Sequence, residues 1–124
     1  MARILLIEDN DLIRTVLREN LEFADHTVIE ARNGQEGLDL FRQAGADLVI
    51  TDILMPGKEG IDVLMELRNA HPPVHVIAMS GGGLGSGRDY LAAARLLGAA
   101  KVLLKPFPIE VLMAAIDELL PGHV

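Results

Sequence analysis

The chain of 124 residues has no cysteine and no tryptophan, and its aromatic residues amount to one tyrosine and three phenylalanines. Without cysteine there is neither a disulfide framework nor a thiolate metal site. The core must be assembled from Leu, Ile, Val, Ala and Met, within a hydrophobic content of 50%. Positive charge is also scarce: 11 Lys and Arg stand against 18 Asp and Glu, a net charge of −7. Phosphate backbones are gripped by clustered Lys and Arg, so this balance argues against nucleic-acid binding by the domain itself. It equally disfavours an anionic membrane surface. Long apolar runs are missing too. None approaches the roughly 18 residues of a membrane span, and the N-terminus reaches Glu8 too soon for a signal-peptide core. A cytoplasmic protein is expected, with one domain over 1–124 that is large enough to bury a real core.

What is present is an alternation of short apolar runs with amphipathic stretches. Strands are expected at 3–8, 27–31, 47–52, 74–79 and 101–104. Between them Ile13, Val16, Leu17 and Leu21 recur at helical spacing, with Arg14, Arg18 and Glu22 on the other side and Asn10 or Asp11 as the N-cap. Leu38 and Phe41 give a weaker second helix, diluted by Gly34 and Gly37. Ile61, Leu64, Met65 and Arg68 mark a third, closed before His71-Pro72-Pro73. Leu91, Ala94 and Leu97 mark a fourth, and Val111, Leu112, Ala115, Ile116 and Leu119 a fifth. Strands that are apolar throughout, alternating with helices, imply an α/β fold: a parallel sheet covered on both faces. Ligands of such sheets sit beyond the carboxyl ends of the strands, where strand order reverses.

Chemistry-bearing residues collect at those ends. The first run leads into Glu8-Asp9, the third ends in Asp52, the fourth in Ser80 and the last in Lys105-Pro106. Two carboxylates about 4 Å apart repel by roughly 4 kcal/mol at an effective dielectric near 20, so three converging acids call for a cation. With no His or Cys nearby, all-oxygen ligation suits Mg²⁺, with Mn²⁺ as a substitute. Asp52 is then placed as a nucleophile toward a phosphoryl group, Ser80 as a hydrogen-bond donor to it and Lys105 as its counter-charge. Taken singly, each residue has a plainer reading: an acid pair at a helix N-terminus, a cap, a turn serine, a solvated lysine. One site accounts for all of them together. The Gly82-Gly83-Leu84-Gly85-Ser86-Gly87-Arg88-Asp89 stretch imitates a phosphate-binding loop, but Arg88 stands where Lys is needed and Asp89 replaces the hydroxyl that would hold Mg²⁺. The four His residues show no metal-ligand spacing.

These motifs together resemble the receiver domain of bacterial two-component response regulators, over essentially the whole chain. The carriers are Glu8-Asp9, Asp52-Ile53-Leu54-Met55-Pro56-Gly57, Ser80, and Gly98-Ala99 leading to Lys105-Pro106-Phe107. The resemblance implies a flavodoxin-like, doubly wound fold with strand order 2-1-3-4-5. It implies that Asp52 accepts phosphate from a histidine kinase or a histidine phosphotransfer protein. Asp9 would ligate Mg²⁺ directly and Glu8 largely through water, with Asp52 and the backbone carbonyl of Leu54 completing the protein ligands. Ser80 and Lys105 carry over as switch hydroxyl and phosphate-pairing amine, and the bond to Pro106 would be cis. Two departures stand out. Many receivers carry Tyr or Phe where Val102 stands, so output is expected through Ser80 and the loop Gly81–Gly87, which is unusually rich in glycine.

A phosphoacceptor signalling domain is therefore expected, catalysing no more than its own phosphorylation and slow dephosphorylation. It would act as a single-domain regulator through protein contact, or as a receiver cut from a longer protein. The resemblance implies a contact surface for an unidentified protein target on the fourth helix, fifth strand and fifth helix. An Asp-nucleophile phosphatase competes with this reading, but such enzymes add an acid two residues after the nucleophile, where Leu54 stands. A pseudo-receiver that only binds partners is the third possibility.

Overall fold

The structure is a computed structural model that describes residues 2–53, 60–70, 73–81, 95 and 98–120. Five strands form one parallel sheet: β1 (Arg3–Ile7), β2 (Thr27–Ala31), β3 (Leu48–Asp52), β4 (His75–Gly81) and β5 (Lys101–Lys105), in spatial order β2-β1-β3-β4-β5. The helices are α1 (Asp11–Phe23), α2 (Gly34–Ala44), α3 (Gly60–Leu67) and α4 (Ile109–Leu119). The helix expected around Leu91–Leu97 lies outside the described residues, apart from Arg95.

Side chains of a strand alternate between faces, and each apolar strand feeds two cores. Leu5, Ile7, Val49, Val76 and Ala78 meet Leu38 of α2 and Val63, Leu64 and Leu67 of α3. Ile4, Leu6, Leu48, Ile50, Ile77 and Met79 meet Leu17 and Leu21 of α1 and Leu112 and Ile116 of α4. That is the doubly wound sandwich expected. β3, at the centre, is buried along its whole length, whereas the edge strand β5 is half-buried.

Several boundaries and faces differ from the sequence reading. β4 runs on to include Ser80 and Gly81, because Gly81 still pairs with Lys105 across the ladder. On α1 the inward stripe is Ile13, Leu17 and Leu21, and Val16 is exposed, being turned about 100° from that stripe's centre. On α3 the buried positions are Val63, Leu64 and Leu67, while Met65 lies half-exposed. Asn10, not Asp11, caps α1: its side chain accepts the Ile13 N–H at 2.9 Å. His26, a histidine without metal-ligand spacing, is buried and accepts the Ala2 N–H through Nδ1 at 3.3 Å. It fastens the start of β2 to the start of the chain.

Gly37 dilutes the helical pattern of α2 for a reason. A Cβ there would stand 2.4 Å from Cδ1 and 2.7 Å from Cγ1 of the fully buried Ile7. The absent side chain lets α2 lie against β1. Overpacking costs roughly 1–3 kcal/mol, and alanine returns about 1 kcal/mol of helix propensity. Gly37→Ala is therefore expected to lose up to ~2 kcal/mol in denaturant unfolding. Because Ile7 is the obstacle, Ile7→Ala with Gly37→Ala should cost less than the two single changes summed. Strict additivity would show that the obstacle is not Ile7.

Candidate functional site

The chain leaves β1 outward to β2 but from β3 runs the opposite way to β4 and β5, so strand order reverses between β1 and β3. A crevice opens at the carboxyl ends of strands flanking such a reversal. Glu8 and Asp9 follow β1, and Asp52 closes β3. Oxygen atoms of the three carboxylates lie within 4.8 Å of one another. Glu8 is completely buried and Asp52 nearly so, whereas Asp9 is exposed.

Lys105 ends β5, two strands from Asp52, or roughly 10 Å at about 4.8 Å per strand. Only a long side chain bridges that gap. Its Nζ donates to Asp52 Oδ2 at 2.7 Å and to Glu8 Oε1 at 2.5 Å. The other Glu8 oxygen, Oε2, accepts the Asn10 N–H at 3.0 Å. Protein donors thus engage both oxygens of Glu8, and Asp9 is the acid open to solvent. Burial pushes the Glu8 carboxyl above its ordinary value, and contacts with Lys105 and Asn10 only partly offset this. Burial alone would push the Lys105 ammonium down. Hydrogen bonds and charge from Asp52 and Glu8 outweigh that and raise it.

β4 lies between the strands of Asp52 and Lys105, and Ser80 sits fully buried near its carboxyl end, level with Leu104 of β5. Asp52 is level with Met79, so the serine stands one step beyond the acid along the sheet. The Lys105–Pro106 bond is cis, as expected. Val102 packs partly buried against the core on the α2–α3 side. Leu54, expected to offer a carbonyl ligand, lies outside the described residues, as does the glycine-rich loop beyond Gly81. Beside the site, Ile13, Leu17, Lys105, Pro106 and Phe107 line a cavity of about 210 Å³.

The sequence pattern places Arg14 on the polar side of α1 and points to no role for it. Its side chain is only 12% exposed and its guanidinium donates to the Glu8 carbonyl oxygen at 2.9 Å. An arginine on the polar side of a helix reads as solvated, and the one local signal was Asp11 three residues earlier.

Three acids against one ammonium leave the cluster with an excess of negative charge, all of it on oxygen. Such a donor set fits a hard divalent cation and offers nothing to a soft one.

A family model described as the response regulator receiver domain matches residues 4–117. The chain belongs to the response regulator receiver family. Among its relatives, the chemotaxis protein CheY of Halobacterium salinarum is 31% identical over 118 residues, covering 95% of this receiver and 96% of that protein. The transcriptional regulatory protein PdtaR of Mycobacterium tuberculosis is 38% identical over 117 residues, covering 93% of the receiver and 55% of PdtaR. The receiver spans about half the length of several curated relatives it matches, 49% for the uncharacterized transcriptional regulatory protein YkoG of Bacillus subtilis. A crystal structure of a response regulator receiver domain protein from Clostridium thermocellum superposes with a TM-score of 0.88 at 33% identity, covering 96% of this receiver and 94% of that chain. Receivers are phosphoacceptors of two-component signal transduction, and the flavodoxin-like order of the sheet is theirs. Among the described residues no helix is long and apolar enough to cross a membrane.

Proposed function

We propose that Asp52 is the residue phosphorylated, that Mg²⁺ assists, and that a histidine kinase or histidine phosphotransfer protein is the donor. The observation that carries this is Lys105 Nζ resting on Asp52 Oδ2 inside a cluster of three acids. Asp9 and Asp52 would hold Mg²⁺ directly and Glu8 through water, and Mn²⁺ would substitute. When bound, the ion supplies charge stabilisation to the phosphoryl oxygens.

An Asp52 carboxylate oxygen attacks phosphorus. The bond from phosphorus to the donor's nitrogen breaks, its electron pair stays with the donor, and an acyl phosphate forms. Lys105 has been held against Asp52 and pairs with the charge that arrives, while the Ser80 hydroxyl donates to a phosphoryl oxygen. Moving a two-state equilibrium from 1:99 to 99:1 needs about 5.5 kcal/mol of differential interaction. Charge-assisted bonds from Lys105 and Ser80, together with the cation, are of that order.

The same arrangement admits water for slow self-dephosphorylation. The sequence disfavours turnover of a separate substrate, because a leucine stands two residues past Asp52, where such an enzyme would carry an acid. The donor reaches Asp52 from the carboxyl end of the sheet, where exposed Leu12 and Val16 offer apolar contact. A downstream protein target is assigned to β5 and α4, where Leu104 and Val111 are exposed. Net charge of −7 supports a reading without nucleic-acid binding by this domain, and a cytoplasmic place follows from the partners proposed.

Incubation with acetyl phosphate and Mg²⁺, followed by intact mass, tests the proposal. One phosphoryl group is expected, absent with EDTA and released by hydroxylamine, as an acyl phosphate requires. Uptake that ignores Mg²⁺, or none at saturating donor, would overturn it.

A further inference from the structure

Arg14 connects three elements around the acid pair. Its Nη1 donates to the Glu8 carbonyl at 2.9 Å, Nη2 to Asp11 Oδ1 at 2.5 Å, and Nε stands 3.4 Å from Glu30 Oε1 on β2. The carbonyl is that of the peptide joining Glu8 to Asp9. A peptide unit is planar and includes the Cα atoms on both sides. Holding its oxygen therefore restricts how that plane can turn, and with it the two Cα atoms from which both acids project. We propose that Arg14 is a positioning residue of the cation site, setting through the Glu8–Asp9 peptide plane how the two acids are presented. This rests on the Mg²⁺ reading above and adds to it a residue that would not itself touch the ion.

Its charge environment supports this use. A lone guanidinium beside a cation site would repel the ion, but here Asp11 and Glu30 neutralise it. Glu30 is itself shared with Arg18, whose Nη1 lies 3.3 Å from Glu30 Oε2. The signs alternate outward from the site, so Arg14 supplies geometry with little net field. A planar fork suits the task, since its separate N–H groups reach separate partners. A lysine ammonium is a point charge on a flexible stem and would keep the charge without the fork.

Charge and geometry predict opposite signs, which makes the inference testable. Arg14→Met removes a positive charge and frees two acids, so electrostatics alone would tighten Mg²⁺ binding. Loss of positioning weakens it instead, by about 10-fold or more, as losses of supporting residues around metal ligands do. Calorimetric titration of Mg²⁺ into the full, unphosphorylated chain reads this directly. Amide hydrogen exchange at Asn10, whose N–H bonds to Glu8, reports the same loosening without any metal. Arg14→Lys conserves charge, so any weakening there is geometric; a loss of several-fold is expected. Should Arg14→Met not fold, Arg14→Lys decides alone. Lower thermal stability with unchanged or tighter Mg²⁺ affinity would overturn the inference and leave Arg14 as a salt-bridge residue only. A wild-type chain that binds no Mg²⁺ would sink the metal reading itself and this inference with it. Binding by wild type with unchanged affinity in both variants would sink this inference alone.

Discussion

Asp52→Asn is expected to accept no phosphoryl group at any concentration of acetyl phosphate, and to fold at least as stably as the wild-type chain. The amide has nearly the shape of the carboxylate but lacks the charged oxygen that attacks phosphorus. Exposed Asp9 is the other acid a donor reaches, yet it is Asp52 and Glu8 on which Lys105 rests. Removing one of three mutually repelling carboxylates relieves strain of the order of a few kcal/mol at an effective dielectric near 20. Lys105 loses one partner but keeps Glu8. These terms oppose each other, so stability without metal should stay level or rise while Mg²⁺ affinity falls. Intact mass and thermal unfolding in EDTA check both halves. Residual phosphoryl uptake would move the acceptor to another acid, and a large loss of stability would show that the Lys105–Asp52 pair outweighs the repulsion.

Lys105→Met is expected to destabilise the metal-free protein by about 3–5 kcal/mol at neutral pH, the usual cost of stripping one partner from a buried ion pair. Lys105 is 15% exposed at its side chain, and its two acceptors are more deeply buried. Two consequences identify the cause. Mg²⁺ should restore more stability to the variant than it adds to wild type, because a divalent ion replaces the missing counter-charge. Acid should also restore it. Glu8 already sits above its ordinary value through burial, and without Lys105 it rises further. A carboxyl raised on folding weakens the fold above its folded-state value, and that penalty fades as pH falls toward the unfolded value. The gap between variant and wild type should therefore narrow between neutral pH and about pH 5. Denaturant unfolding at both pH values, with and without Mg²⁺, checks this. A gap independent of pH and of Mg²⁺ would mean that packing, not charge, is lost.

Much of this was legible in the chain. Parallel strands buried on both faces read as unbroken apolar runs, so Ile4–Ile7, Leu48–Thr51 and Val76–Met79 were plain, and the residue that ended each run was plain with it. Strand ends were less so, because backbone pairing carries β4 through Ser80 and Gly81 where hydrophobicity has already stopped. Helix faces blurred where an apolar residue lies off the stripe, as at Val16 and Met65. Gly37 looked like a weakness because a glycine's reason lies in its neighbour, and Ile7 is thirty residues earlier in the chain. That Lys105 would touch Glu8 as well as Asp52 depends on contacts between residues 97 apart. No local pattern announces such a contact. Arg14 was hidden for a related cause: its partner is a backbone carbonyl, and every residue has one.

Asp52 and Lys105 stand on strands of different burial. β3 has a neighbour on each side and no exposed side chain, whereas β5 has one neighbour and lies half in solvent. A phosphoryl group on Asp52, as proposed, would pull on Lys105, and the strand packed on both sides would move less. The displacement would fall on the edge strand, which is also where Leu104 faces outward. On the proposed reading, phosphorylation and its readout would be separated: the central strand would act as a fixed post, and the edge strand as the spring another protein could feel.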